Sequence, residues 1–188
     1  MKYHPEEMHR EMEYLFISRK NFKDFLEQEG LTDIQRSVRF LFLIKRSFAG
    51  KGKTFPVCKK GGGSKASWIK LTQYLQEISV RLNRITIECK DFKELIPAYD
   101  SENTFFYLDP PYYKFRDYKH TFKGEDFIDL ALTLSRIQGK FLLSLSGHPL
   151  MRETFADFKV DTVTTKYSIG LRTGSRSQQR EELLIKNF

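Results

Sequence analysis

Apolar residues recur at helical spacing through the first part of the chain. Met8, Met12, Leu15 and Phe16 line one face of a helix predicted over residues 5–27, with Glu6 and Glu7 in the first turn, where negative charge is favourable. Gly30 ends that element. Thr32 or Asp33 can cap a second helix, which runs through Val38, Leu41 and Phe42 and carries Arg36, Arg39, Lys45 and Arg46 on its polar side. Gly50, Gly52, Pro56 and Gly61-Gly62-Gly63-Ser64 make residues 47–65 a loop. The glycine run lacks the Gly-Lys-Ser/Thr ending and the preceding strand of a phosphate-binding loop, so it reads as a basic loop. Trp68, Leu71, Leu75, Ile78 and Leu82 then give an amphipathic helix over residues 67–82.

After Arg84 the pattern changes. Ile85-Thr86-Ile87-Glu88-Cys89 is short and β-branched, and Phe105-Phe106-Tyr107-Leu108 and Phe141-Leu142-Leu143-Ser144-Leu145 are nearly continuous apolar runs. Such runs suit strands buried on both faces of a largely parallel sheet. Phe127, Leu130, Leu134 and Ile137 predict a helix between them, residues 149–155 a short one, and residues 158–168 and 182–186 two closing strands. Strand and helix alternate, as in an open α/β sheet. The expected division is a helical, basic segment over residues 1–84 and an α/β half over residues 85–188.

Charge sharpens that division. The net charge is +8, and residues 1–84 hold all of it: 17 Lys and Arg against 9 Asp and Glu, while residues 85–188 hold 15 of each. Residues 34–84 carry 12 basic residues and a single acid, Glu77. Ordinary surfaces mix both signs, so this near-absence of acids points to nucleic acid. No apolar run approaches the roughly 20 residues of a membrane span. Cys58 and Cys89 have no metal-ligand spacing, and two lone thiols suit a reducing cytoplasm. His4, His9, His120 and His148 are scattered, and no metal site is expected.

The chemistry concentrates at Asp109-Pro110-Pro111-Tyr112, directly after the apolar run 105–108. Open α/β sheets bind ligands outside the carboxyl ends of their strands. Two consecutive prolines fix both φ angles and remove both N–H donors, which leaves a stiff loop with free carbonyl acceptors. The exocyclic amine of a nucleobase is a poor nucleophile because its lone pair is delocalised into the ring. Acceptors on both of its hydrogens, such as the Asp109 carboxylate and the Pro110 carbonyl, favour a localised lone pair. Tyr112 can stack on the base, which must first be flipped out of the duplex.

With these residues the chain resembles the adenine-specific DNA methyltransferases, in particular the branch of the DNA adenine methylases. Leu43-Ile44-Lys45-Arg46-Ser47-Phe48-Ala49-Gly50-Lys51-Gly52 resembles the segment between that family's cofactor and catalytic halves. Cys89-Lys90-Asp91-Phe92 is similar to its strand-end acidic motif, Gly139-Lys140-Phe141-Leu142-Leu143-Ser144 to the strand after the catalytic loop, and Tyr167-Ser168-Ile169 with Arg172 and Glu182-Leu183-Leu184-Ile185 to the closing hairpin. The resemblance implies a partial Rossmann-like sheet and methyl transfer from S-adenosylmethionine to a flipped adenine in double-stranded DNA. It implies catalysis by Asp109, Pro110, Pro111 and Tyr112, cofactor contact by Asp91, Phe92 and Asp109, and DNA contact by Arg36, Arg39, Lys45, Arg46, Lys51 and Lys53. Asp at the first motif position points to adenine.

The family's opening strand and Phe-x-Gly-x-Gly loop have no counterpart here. At roughly 30 residues per βα unit, about 60 residues are expected upstream of Met1, their strands lying between those at Ile85 and Phe105. The alternative to an active enzyme is therefore a DNA-binding remnant, or one half of a split enzyme. Such a chain would be completed by an N-terminal fragment or would self-associate through exposed sheet edges.

Overall fold

The computed structural model describes residues 4–56, 68, 70, 71, 73–113, 121–167 and 178–188. The glycine run 61–63, Cys58, His120, and the part of the hairpin match at Ser168, Ile169 and Arg172 lie outside them. The chain divides into two compact units, Met1–Glu88 and Cys89–Phe188.

In the first unit the apolar spacing forms helices α1 (Pro5–Glu13), α2 (Arg19–Glu27), α3 (Asp33–Arg46) and α4 (Leu75–Leu82), with a short 3-10 turn at Phe48–Gly50. Residues 5–27 are two helices rather than the one expected. The break follows from local capping: Ser18 accepts a hydrogen bond from the Asn21 amide at 3.0 Å, and the Asn21 side chain donates to the Phe16 carbonyl at 2.7 Å. These bonds start a new helix, and Phe16 is left 83% exposed. Thr32, not Asp33, caps α3, its hydroxyl accepting from the Gln35 amide. Met8, Met12, Phe22, Val38, Phe42, Trp68 and Leu75 form the core. Phe42 stands at its centre, edge-on to Phe25 at 5.3 Å and to Trp68 at 5.6 Å. The Trp68 indole N–H donates to the Met12 carbonyl at 3.1 Å, so the buried ring leaves no polar atom unmet.

The second unit runs α5 (Phe92–Tyr99), β1 (Phe105–Leu108), α6 (Gly124–Leu134), β2 (Lys140–Ser146), α7 (Pro149–Thr154), β3 (Lys159–Tyr167) and β4 (Gln178–Lys186). The sheet order is β1-β2-β4-β3. Only β1 and β2 are parallel, whereas β4 runs antiparallel to both β2 and β3, so the sheet is mixed rather than largely parallel. Leu143 opposes Ile185 and Leu145 opposes Leu183, and these join Phe141 and residues of α5, α6 and α7 in one core.

Alternation along the strands puts Tyr107, Leu142, Ser144 and Leu184 on the other face. Among the described residues of this unit the helix core packs on one face only. The expectation that residues 105–108 are buried on both faces is therefore corrected: Phe105 is 54% and Tyr107 63% exposed, because β1 is an edge strand and the helices cover only the face bearing Phe106 and Leu108. Residues 86–91 lie in neither helix nor strand, and Ile85 and Ile87 are exposed. The strand expected at 85–89 does not form, since β propensity needs a neighbouring strand to hydrogen-bond with.

Candidate active site

The carboxyl ends of β1 and β2 point the same way, because the two strands are parallel, and with Leu108 opposite Leu143, β2 runs three residues further, to Ser146. Their opposite ends are tied by Asp100, whose carboxylate accepts from the amides of Gln138 at 2.9 Å and Gly139 at 3.0 Å. Gly139 sits against the Thr104 carbonyl, where a Cβ would come within 2.7 Å. The register of the pair is thus fixed at its start, and the residues leaving β1 and β2 at the other end emerge in a defined relation. Those residues are Asp109-Pro110-Pro111-Tyr112 and Gly147-His148.

Asp109 is exposed at the end of the edge strand, and Pro110 to Tyr112 are partly buried. The Tyr112 hydroxyl lies 3.4 Å from Ser144 Oγ, which places this ring toward the sheet face opposite the one that α5, α6 and α7 cover. Tyr113 goes to the other side. It packs edge-on to His148 at 4.9 Å and to Phe127 of α6 at 6.1 Å, and Phe127 belongs to the helix-covered core. The loop therefore straddles the end of the sheet, with one tyrosine on each side.

Asp91 is the N-cap of α5, its carboxylate accepting from the Lys93 amide at 2.9 Å. Lys93 in turn bonds Asp129 of α6, which holds its ammonium above the ordinary lysine pKa. Phe92 is partly buried and begins a row of rings: it lies 5.6 Å from Phe122, which lies 5.3 Å from Phe127, the ring against which Tyr113 packs. Phe92, next to Asp91, is thereby linked through a row of rings to Tyr113, the residue that follows the tetrapeptide.

In the first unit, Lys45, Lys51 and Lys53 are exposed. Arg36 bonds Asp33 and the Leu31 carbonyl, and Arg39 lies over the Phe25 ring at 5.0 Å while donating to the Gln28 carbonyl at 2.8 Å. Arg46 departs from its expected place on the polar side of α3. It is 5% exposed, its guanidinium lies 5.4 Å over Trp68, and burial lowers its pKa. Its position one turn beyond Phe42 turns it into the core, where a cation can rest on an indole face.

Sequence reasoning passed over His148, Tyr113 and Ser144. The signal available was positional: Gly147-His148 follows one apolar run as Asp109 follows the other. Among the described residues, no group of three or more His, Cys, Asp or Glu gathers as metal ligands, and no helix is long and apolar enough to cross a membrane.

A mixed α/β unit with an Asp-Pro-Pro-Tyr loop at the carboxyl end of a strand defines the class, and comparison with known proteins agrees. The D12 class N6 adenine-specific DNA methyltransferase family matches over residues 1–169, and the chain belongs to that family. It is similar to the type II methyltransferase M.MjaIII of Methanocaldococcus jannaschii, with 30% identity over 173 residues, covering 83% of this chain and 58% of that protein. It is also similar to the type II methyltransferase M1.LlaDCHI of Lactococcus lactis subsp. cremoris, with 25% identity over 178 residues, covering 85% and 61% respectively. The chain spans about three fifths of the length of these curated relatives.

Proposed function

We propose that the chain acts in site-specific methylation of adenine N6 in DNA, as part of a restriction-modification system, and that it supplies the target-recognition and amine-activating parts of the reaction. Residues 1–84 contact duplex phosphates and base edges through Arg36, Arg39, Lys45, Lys51 and Lys53. Residues 85–188 form the catalytic half of a Rossmann-like domain. The observation that carries this reading is the position of Asp109-Pro110-Pro111-Tyr112 at the mouth of the parallel strand pair, in a chain of this family.

An adenine flipped from the duplex stacks on Tyr112, on the sheet face opposite α5, α6 and α7. Its amine donates one hydrogen to the Asp109 carboxylate and the other to the Pro110 carbonyl. The lone pair is then localised and available for attack. The rigid prolines hold both acceptors in place before the base arrives, so little reorganisation is left for the reactive moment.

Methyltransferases of this family generally use S-adenosylmethionine. Asp109 and Asp91 suit its cationic and hydrogen-bonding groups, but the described residues of this unit form no open glycine cradle for it. A Cβ at Gly139 would meet the Thr104 carbonyl at 2.7 Å and one at Gly147 would meet Glu181 Cβ at 2.7 Å, so the protein itself fills both sites. Gly124, where an added Cβ would meet only Leu150 Cδ2 at 3.8 Å, stands alone at the start of α6, so the described residues of this unit offer part of a cofactor site and no glycine cradle. That observation also favours a second reading, a DNA-binding protein that flips adenine without turnover.

The test is expression of the gene, with its native flanking frames, in a host whose DNA lacks N6-methyladenine, followed by mass spectrometry of the nucleosides. The enzyme reading requires N6-methyldeoxyadenosine that disappears in Asp109→Ala. Its absence from the parent, with adenine flipping intact, would establish the second reading.

A further inference from the structure

Two consecutive tyrosines, both partly buried, leave the catalytic loop on opposite sides of the sheet, and among the described residues Tyr113 is the one with ring contacts. Tyr113 is held between Phe127 and His148. His148 is itself held at its ring by one bond and at the neighbouring backbone by two. Its Nδ1 accepts from the Leu150 amide at 3.2 Å, which caps α7. Its backbone amide donates to the Ser146 carbonyl at 2.7 Å. The preceding Gly147 donates to the Glu181 carbonyl of β4 at 2.8 Å and is pressed against that strand. On the other side, the polar contact of Tyr112 among the described residues is the long 3.4 Å one to Ser144.

We propose that His148 is a positioning residue for the reaction, acting through Tyr113 to set the angle of Tyr112. The inference rests on the adenine-flipping role of Tyr112 given above. Adjacent residues share a peptide plane, and two prolines stiffen the chain just before them, so fixing the Tyr113 ring leaves the Tyr112 Cα–Cβ direction little freedom. His148 thus takes the register of β2 and β4 and passes it to the base-stacking ring. The ring contact does this work, while the Nδ1 bond orients the imidazole.

The two functions of His148 can be separated by substitution. His148→Asn keeps an acceptor for the Leu150 amide and removes the ring, and asparagine is among the best N-cap residues, so the fold is retained. His148→Phe keeps a ring and removes the acceptor. In the free chain, the His148 ring-proton NMR signals, assigned by their loss in His148→Asn, should move in Tyr113→Leu. With 2-aminopurine at the target adenine of a duplex carrying the methylated site, His148→Asn should lower the flipped-base signal about two- to tenfold, the worth of one edge-to-face ring contact, at unchanged DNA affinity. His148→Phe should stay near the parent. Unmoved NMR signals in Tyr113→Leu, full flipping in His148→Asn, or equal losses in both His148 variants would overturn the proposal. Tyr112→Ala, run alongside, keeps the cases apart. If it too flips normally, the stacking role of Tyr112 has failed; if it loses flipping while His148→Asn does not, only the clamp has failed.

Discussion

Replacing Gly147 by alanine should loosen the carboxyl end of the sheet, and the cost can be worked from the contact it creates. The new Cβ would lie 2.7 Å from Glu181 Cβ and 2.9 Å from the Glu181 carbonyl oxygen, against 3.4 Å for the onset of ordinary contact. Relief therefore needs a shift of 0.7 Å (3.4 less 2.7) between two backbones that also share the 2.8 Å bond from the Gly147 amide to that carbonyl. Overpacking of this kind costs about 1–3 kcal/mol, and the stiffer unfolded chain returns about 0.4–1 kcal/mol. The net is about 1 kcal/mol of destabilisation, or about 4–8 °C in the melting temperature of a unit this size. Gly124→Ala is the control. Gly124 opens α6 and its added Cβ would meet only Leu150 Cδ2 at 3.8 Å, so there alanine should stabilise by up to about 0.5–1 kcal/mol. Thermal unfolding followed by circular dichroism measures both. A Gly147→Ala protein as stable as its parent would refute the claim that this turn is jammed against β4.

Tyr112→Ala should remove about 1–3 kcal/mol of flipped-base stabilisation while phosphate binding survives, read as loss of 2-aminopurine fluorescence at constant DNA affinity. Neutralising Lys45, Lys51 and Lys53 together should lower the slope of log K against log salt by about 0.9 for each DNA phosphate that is no longer neutralised. An unchanged slope would make them an ordinary solvated face. The chain by itself should bind S-adenosylmethionine weakly, and a fragment carrying a glycine-loop βα unit should tighten binding. Isothermal titration showing micromolar binding by the chain alone would mean that it has built a different cofactor site.

The elements that were legible in the sequence are those whose signal is local. The run 141–145 is apolar because Phe141, Leu143 and Leu145 of β2 are buried in the core, and Thr32 marks the start of α3 by a side-chain bond three residues long. The misreadings all turn on partners. Phe16 continues the helical spacing of Met8 and Met12, yet the bonds of Ser18 and Asn21 end that helix first. Ile85-Thr86-Ile87 has the composition of a strand but pairs with none among the described residues. Arg46 reads as one more surface cation until Trp68, 22 positions later (68 less 46), supplies the aromatic face that draws it inward. At the site, Asp109 to Tyr112 announce themselves because a rigid acidic turn is unusual. His148 does so only by its place after an apolar run, because its residue type does not reveal that Tyr113 will pack against it.

The burial of Trp68 has a practical consequence for following the protein in solution. It is the chain's only tryptophan, 4% exposed, bonded to the Met12 carbonyl and overlain by the Arg46 guanidinium. Its intrinsic emission is therefore a label already in place, confined to the first unit and sensitive to whether α1 and α3 remain assembled around it. An apolar, dry environment shifts indole emission to the blue, and unfolding of that unit would move it to the red. The proposed DNA contact along α3 would be testable through the same ring without attaching a dye, since any displacement of Arg46 alters the charge standing over the chromophore.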